Sequence, residues 1–578
     1  MVKRIVPLAC VLLLVISSLV LIDSYRRVLI LLPISLVVGY ILSRIWFDVS
    51  TPAFLHRFNA FLHCWQYPGS LVITLGWTLF WVLLPVLIRG HFPLPLSHDE
   101  FSSILGGETF AAGRLTNSTP ACWEHFETYH TSMTPTYHTK YQPGMSIVFA
   151  LGIFLCDQPF VGMIIVLLLA SAALTWMLHL WLPVRWALPM TLLASMILVL
   201  NWGGNYFAAG PLATIAGALQ IGLFRRWSMT PHETVRRWDG VLWGLSLVLL
   251  AWSRPFEGLV FSIIMGIGLL ITVIQRKNVA FCLSRLLPGL VLTVLPAGWF
   301  QLEYNQAATG SRTLFPYVHH YQQYGISPPF FFQSRLAEPV YRHHEMRQMH
   351  RQEAAFDQQL RSIRWLPSFV GFRFGKLWAN YGLLLFVLPF LTLPEIWRNK
   401  SMRCLLLISS SFLACIQLTT WFFPHYAAPG WPAWFVLLTF SIRTIRLWSF
   451  RGKPWGRMLV CISVFSCLFY CIVEHAIAPW LAPQTWADRK QEMSRELLVM
   501  DKKHLVLVQY DADHDPNTEW VFNSPTLDSQ AIIWARSMKD DDNSKLVNCY
   551  PGRRVWLLRV NGKQPASTPL PVPYTTVP

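Results

Sequence analysis

Residues Ser97–Gly144 read SHDEFSSILGGETFAAGRLTNSTPACWEHFETYHTSMTPTYHTKYQPG. Before them stands LVITLGWTLFWVLLPVLI, Leu71–Ile88, and the apolar sequence resumes at Met145. The polar stretch holds Asp99, Glu100, Glu108, Glu124 and Glu127 with His98, His125, His130 and His138, and the bases Arg114 and Lys140. A loop this long and this rich in titratable groups, set between apolar segments, reads as the working part of a membrane protein. The other segments then serve to present it.

The flanking pattern recurs. The chain has 578 residues, of which 53% are hydrophobic and 13% charged, against about 25% charged in an ordinary soluble domain. Apolar runs near the ~20 residues that a helix needs to cross hydrocarbon repeat over roughly the first 480 positions. About 13 spans are expected: Ile5–Ile22, Val28–Ile45, Leu71–Ile88, Phe160–Leu182, Leu188–Trp202, Phe207–Phe224, Val241–Trp252, Phe256–Ile274, Leu286–Phe300, Tyr381–Ile396, Cys404–Phe423, Pro432–Leu447 and Met458–Val473. Met145–Leu155 is too short to cross and reads as a helix near the interface. The fold class is an α-helical polytopic membrane protein carrying a small soluble α/β domain at its C-terminal end. The first apolar run lacks a small-x-small cleavage site and reads as a retained anchor.

The net charge of +17 arises before Gln484, because acids and bases balance beyond it. Arginine and lysine recur in alternate loops, among them Arg225, Arg226, Arg276, Lys277, Arg398, Lys400, Arg443 and Arg446. That is the positive-inside pattern and not nucleic-acid binding. It places the N-terminus in the cytoplasm, and it puts Arg89–Gly144, Gln301–Asn380 and everything after Glu474 outside. Arg26 and Arg27 run against the pattern. The 11 cysteines form no CxxC pair, and Cys122 and Cys549 are the two that can meet on the outer side.

Four divisions follow. Residues 1–70 form an N-terminal hairpin and linker, and 71–480 a membrane catalytic domain with outer loops 89–144 and 301–380. Residues 484–560 form the small domain, and 561–578, rich in Pro and Thr, a disordered tail. In the small domain HLVLVQYDAD reads as a strand, DSQAIIWARSMKD as a helix and RRVWLLRV as a second strand. Arg335–Arg373, with alternating charge, reads as an amphipathic helix on the membrane surface.

His98-Asp99-Glu100-Phe101, just after a span, and Lys140-Tyr141-Gln142-Pro143-Gly144, just before the next apolar segment, carry a resemblance. Over roughly residues 70 to 480 the chain resembles the GT-C superfamily of integral-membrane glycosyltransferases. Protein O-mannosyltransferases and the bacterial aminoarabinose transferases are its relatives there. The resemblance implies an acidic pair in the first large extracytoplasmic loop, one acid acting as catalytic base, and a KYPPG-like stretch. Here the pair follows the third expected span, and Gln142 stands where the family has proline.

The resemblance implies a polyprenyl-phosphate sugar as donor, a glycan, lipid or protein hydroxyl as acceptor, and a hexosyl or pentosyl transfer in the bacterial inner membrane. A lipid phosphate leaves as a stable anion, so one base and a set of cations are enough for inverting displacement. Asp99 is expected as base, with Glu100 supporting it. Arg254, Lys140, Arg114 and His425 are expected at the donor phosphate; Arg254 pairing with Glu257 is the plain alternative. His98, Glu124, Glu127, His130, Tyr141 and Tyr317 are expected at sugar or acceptor. No metal ligand set is identified, and a divalent cation at the acidic cluster is the one cofactor the residues admit. The rival readings are a transporter or flippase of lipid-linked sugars, in which the loop is a gate, and a membrane scaffold.

Overall fold

Helices form where apolar residues run on without interruption, since a backbone in hydrocarbon must satisfy its own hydrogen bonds. The computed structural model describes residues 26–49, 57, 60, 66–229, 236–275, 279–361, 366–481, 483–500 and 502–574. Among these, six helices are long and apolar enough to cross a membrane: Tyr67–Arg89, Pro159–Trp181, Val184–Trp202, Pro255–Gln275, Leu283–Thr309 and Trp455–His475. A bent pair brings the number to seven. The protein is an integral, multi-pass membrane protein.

The expected 13 spans are not reached by these criteria. Helices do stand at most of the other expected places, but they are short or carry polar residues. Arg26–Val49, Arg237–Ser253, Lys400–Ile416 and Trp431–Ile445 are of this kind. Ala209–Met229 lies inside the bundle, with Ala213, Ala216, Ala218 and Ile221 wholly buried. Ile5–Ile22 falls outside the described residues. Tyr381–Ile396 is not one span. Gly382 and Leu383 take φ of 101° and 50°, and the chain turns by 114° between Ser368–Asn380 and Leu384–Leu391. A positive φ at a leucine costs about 1–2 kcal/mol, so the break is imposed by packing rather than by propensity.

Close backbone approach holds the bundle together, as expected where lipid gives no hydrophobic drive between helices. A Cβ on Gly240 would lie 2.2 Å from the carbonyl oxygen of Leu286, and one on Gly289 2.5 Å from the amide of Val241. Those two glycines let Arg237–Ser253 and Val279–Thr309 touch along their backbones.

On one side of the bundle the loop after Arg89, the segment 310–361 and the C-terminal residues meet. The sheet there has the order β4-β3-β5-β6, with β3 His504–Tyr510, β4 Ile532–Arg536, β5 Arg554–Val560 and β6 Val572–Pro573. Strands β4 and β5 run parallel to β3, and β6 runs antiparallel to β5. A central parallel strand buried on both faces reads as one apolar run, as His504–Val508 does. Trp486, Met493, Leu497 and Phe101 pack with Val506, Val508 and Trp534. Leu105, Phe126, Met133 and Leu546 pack with Leu505, Leu507 and Ile533. The helix carrying Asp99, His98–Ala111, thus gives Phe101 and Leu105 to the two cores of the C-terminal sheet.

Three expectations are corrected here. DSQAIIWARSMKD holds strand β4, and the helix lies further on at Asp540–Cys549; an apolar run this short does not separate the two by period alone. The stretch after 560 is ordered through 574, where the amide of Tyr574 donates to the Val555 carbonyl, and only 575–578 lie outside the described residues. The charged segment Arg335–Arg373 is a helix only over His344–Leu360, and Leu366–Asn380 is a second, apolar one. Cys122 and Cys549 are joined in a disulfide, and a helix over Pro143–Cys156 packs on the Asp99 helix.

Candidate functional site

Ser97 and Glu100 start the Asp99 helix with a reciprocal capping box. Glu100 Oε2 accepts from the amides of Leu96 at 2.8 Å and Ser97 at 2.9 Å and from the Ser97 hydroxyl at 3.1 Å. Its Oε1 accepts from the amide of Tyr206 at 2.9 Å. The buried Glu100 carboxylate therefore ties the first turn to the bundle, and its lone pairs are taken.

Asp99, one residue earlier, points elsewhere and keeps 40% of its side chain exposed. The Tyr141 hydroxyl donates to its Oδ1. His130 Nε2 stands 3.6 Å from the same oxygen, and His130 Nδ1 lies 2.5 Å from Lys140 Nζ. The pairing of β1 Thr131–Ser132 with β2 His138–Thr139 sets this up, because it puts residues 130 and 140 across from one another. The Lys140 amide donates to the His130 carbonyl at 3.0 Å. Burial, with the Lys140 charge close by, keeps the His130 ring well below its usual pKa. Burial pushes the Lys140 ammonium down to about 8, against the raising influence of Asp99 and Glu353.

Gly144 brings a second wall up to the loop. A Cβ there would lie 2.6 Å from the Trp252 carbonyl oxygen, so only glycine lets the Tyr141–Pro143 turn sit on the end of Arg237–Ser253. Arg254 follows directly, its amide bonded to the Leu250 carbonyl at 2.7 Å. Its guanidinium lies 4.0 Å over the Tyr426 ring. Its Nε and Nη2 are buried without a hydrogen-bond partner. It forms no ion pair with Glu257 among the described residues. Tyr426 feels Arg254, Glu257 and Asp99 together, and Tyr317 feels Tyr426, Arg254 and Glu257. His425, stacked on Phe207 at 5.8 Å, faces the charges of Arg254 and Lys376.

Asp99, His130, Lys140, Tyr141, Arg254, Tyr317 and His425 thus belong to one neighbourhood. Four of the expected residues are placed elsewhere. His98 is buried, 2.7 Å from the Pro516 carbonyl and 4.3 Å from the Tyr129 ring. Glu127 accepts from Tyr324 at 3.0 Å and pairs with Arg342 at 3.2 Å. Arg114 follows the far end of the 14-residue Asp99 helix, roughly 20 Å from Asp99 at 1.5 Å per residue. Glu124 lies in the same segment as Glu127, and its carbonyl accepts from His343 at 2.7 Å. Among the described residues, no three His, Cys, Asp or Glu side chains are grouped to hold a metal ion.

Lys376, which faces His425, and Glu353, which faces Lys140, are not among the residues the sequence points to. The signal for Lys376 was there, as a lone lysine in the apolar run FGKLWANYG, since a charge at such a place is costly. Glu353 gave none; it reaches the site because its helix, His344–Leu360, folds over the loop.

No family model and no curated protein matches the sequence. Among solved structures the chain overlays ArnT from Cupriavidus metallidurans bound to undecaprenyl phosphate. The TM-score is 0.50 at 10% identity, over 86% of this chain and 94% of that one. Apo ArnT from the same organism gives 0.45 at 11% identity, over 85% and 94%. The apo oligosaccharyltransferase of Archaeoglobus fulgidus gives 0.42 at 12% identity, over 79% of this chain and 63% of that one. The chain shares the fold of undecaprenyl-phosphate-bound ArnT.

Proposed function

We propose that this protein is an inverting glycosyltransferase that moves a hexosyl or pentosyl group from a polyprenyl-phosphate donor to an acceptor hydroxyl. The acceptor is a glycan, lipid or protein, and the site faces the extracytoplasmic side of a bacterial inner membrane. One observation carries the reading. An accessible carboxylate, Asp99, and a guanidinium edge with unpaired buried N–H groups, Arg254, act on the same tyrosine, Tyr426. The first has room to take a proton, and the second has donors to offer an anion. The fold shared with ArnT, solved with undecaprenyl phosphate, supports the donor class.

In this reading the acceptor O–H bond breaks toward Asp99 as the acceptor oxygen bonds to the anomeric carbon. The bond from that carbon to the phosphate oxygen breaks on the opposite face. The negative charge arrives beside Arg254, Lys376 and His425, which are oriented before the reaction and so lower its barrier. Glu100 holds the turn that presents Asp99.

Asp99→Asn in membranes supplied with labelled polyprenyl-phosphate sugars tests this. A base of this kind contributes about 10²–10⁴-fold, and a loss of that size is expected. Undiminished transfer would remove Asp99 from the role. Lipid movement across the bilayer that changes without any new glycosidic bond would favour a flippase instead.

A further inference from the structure

The Asp99 carboxylate does not stand alone, and the groups behind it fix one another's protons. Lys140 Nζ is 2.5 Å from His130 Nδ1. An ammonium has only hydrogens to offer, so Nδ1 is the acceptor and the ring proton sits on Nε2. That nitrogen is the one 3.6 Å from Asp99 Oδ1, a length that tightens readily when an acceptor fills a site. The arrangement is built into the backbone. His130 takes φ 64°, a left-handed conformation that costs a non-glycine residue about 1–2 kcal/mol. Its carbonyl is held by the Ser102 hydroxyl at 2.5 Å and by the Lys140 amide at 3.0 Å.

Taking the transferase reading as given, we infer that Lys140 is a positioning residue that locks His130 in its Nε2–H form, and through it orients Asp99, rather than a ligand of the donor phosphate.

The charged and titratable groups that face the pair fit this role. Lys140 meets Asp99 and Glu353, lies over the rings of Tyr141 at 5.1 Å and Tyr317 at 5.4 Å, and presses on the His320 imidazole. His130 meets Lys140, His98, His320 and His350 besides Asp99. His98 and His320 add no lasting positive charge, since burial holds both below their usual values. When Lys140 gives its proton to solvent it becomes an acceptor. The His130 proton then moves to Nδ1, and a lone pair at Nε2 faces Asp99. That lone pair repels the carboxylate oxygen 3.6 Å away and turns it from the acceptor, so the base is misplaced. Activity therefore falls as pH rises through about 8, the value to which burial brings Lys140.

The full chain in lipid nanodiscs supplies the test. With ¹⁵N-labelled histidine, the His130 signal, assigned by difference against His130→Gln, is expected in the Nε2–H form at pH 7 and in the Nδ1–H form above about pH 9. Undecaprenyl phosphate binding is expected to stay within about twofold in Lys140→Met. Transfer should fall about 10²-fold, as when a reacting group is misplaced, and lose its alkaline limb. Lys140→Arg should keep the activity and move that limb upward. An Nδ1–H or doubly protonated His130 at pH 7, or a tenfold loss of undecaprenyl phosphate binding in Lys140→Met, overturns the inference. If the unaltered protein transfers no sugar, the transferase reading fails. The tautomer and binding measurements still decide the role of Lys140.

Discussion

Replacing Arg536 by Met should loosen the C-terminal sheet from the Asp99 helix at a cost that the structure allows to be sized. Both Arg536 and Glu519 are 2% exposed, and they form an ion pair. Arg536 Nε also donates to the Glu127 carbonyl at 2.8 Å, and Nη1 lies 3.4 Å from Glu345. Burial alone pushes the Glu519 carboxyl up, but Arg536, with His98, brings it below its usual value. Taking away the guanidinium leaves a buried carboxylate with Tyr510 and one amide as partners. Breaking such a pair from one side costs about 3–5 kcal/mol. Arg536→Met should therefore lower thermal stability and speed proteolysis between Thr485 and Val560, while the membrane helices stay inserted. Because the pair's contribution comes from a depressed carboxyl, it is present above about pH 4.5 and lost as pH falls below that. Adding Glu519→Gln should return about 0.5–3 kcal/mol, the range over which residues in direct contact couple. A single variant costing under about 1 kcal/mol, or a double variant as unstable as the sum of the singles, would refute the argument. Both are read from denaturation of purified protein in nanodiscs.

Arg254→Met removes two charge-assisted donors to an anion, each worth about 1.5–3 kcal/mol. Undecaprenyl phosphate binding and kcat/KM should fall by about 10²–10⁴ at 1.4 kcal/mol per tenfold, with Arg254→Lys recovering part; binding measured directly checks it. Burial pushes Glu108 up to about 7, eased by Ser524 and reinforced by Asp157. The folded chain thus holds that proton where the unfolded one releases it, and this contribution is present below about pH 4.5 and lost as pH rises through about 7. Glu108→Gln should flatten the fall in melting temperature between pH 5 and pH 8, by at most about 3 kcal/mol at 1.36 kcal/mol per pKa unit.

The Asp99 loop was legible because its polarity stands out against apolar neighbours, and because the KYQPG stretch needs the glycine that lets it rest on Trp252. Glu100 was legible too, through the Ser97-x-x-Glu100 box, yet adjacency to Asp99 made it read as a second catalytic acid. The placement of His98, Glu127 and Arg114 could not be read. Each depends on a partner far along the chain: Pro516, Arg342 and the full length of a helix. In the C-terminal sheet the periodicity of IIWAR is that of a buried strand and of a buried helix alike, and only its pairing with β3 decides. The break at Gly382 and Leu383 was hidden because the residues that follow it, Leu384–Leu391, are all apolar.

The disulfide between Cys122 and Cys549 spans 427 positions, and the packing of Phe101 on Phe522 at 3.8 Å spans nearly as many. A ribosome finishes every bilayer segment before it makes the strands against which the Asp99 turn must lean. The reaction centre is therefore assembled last. If the transferase reading holds, a nascent or prematurely stopped chain is a seated but idle protein.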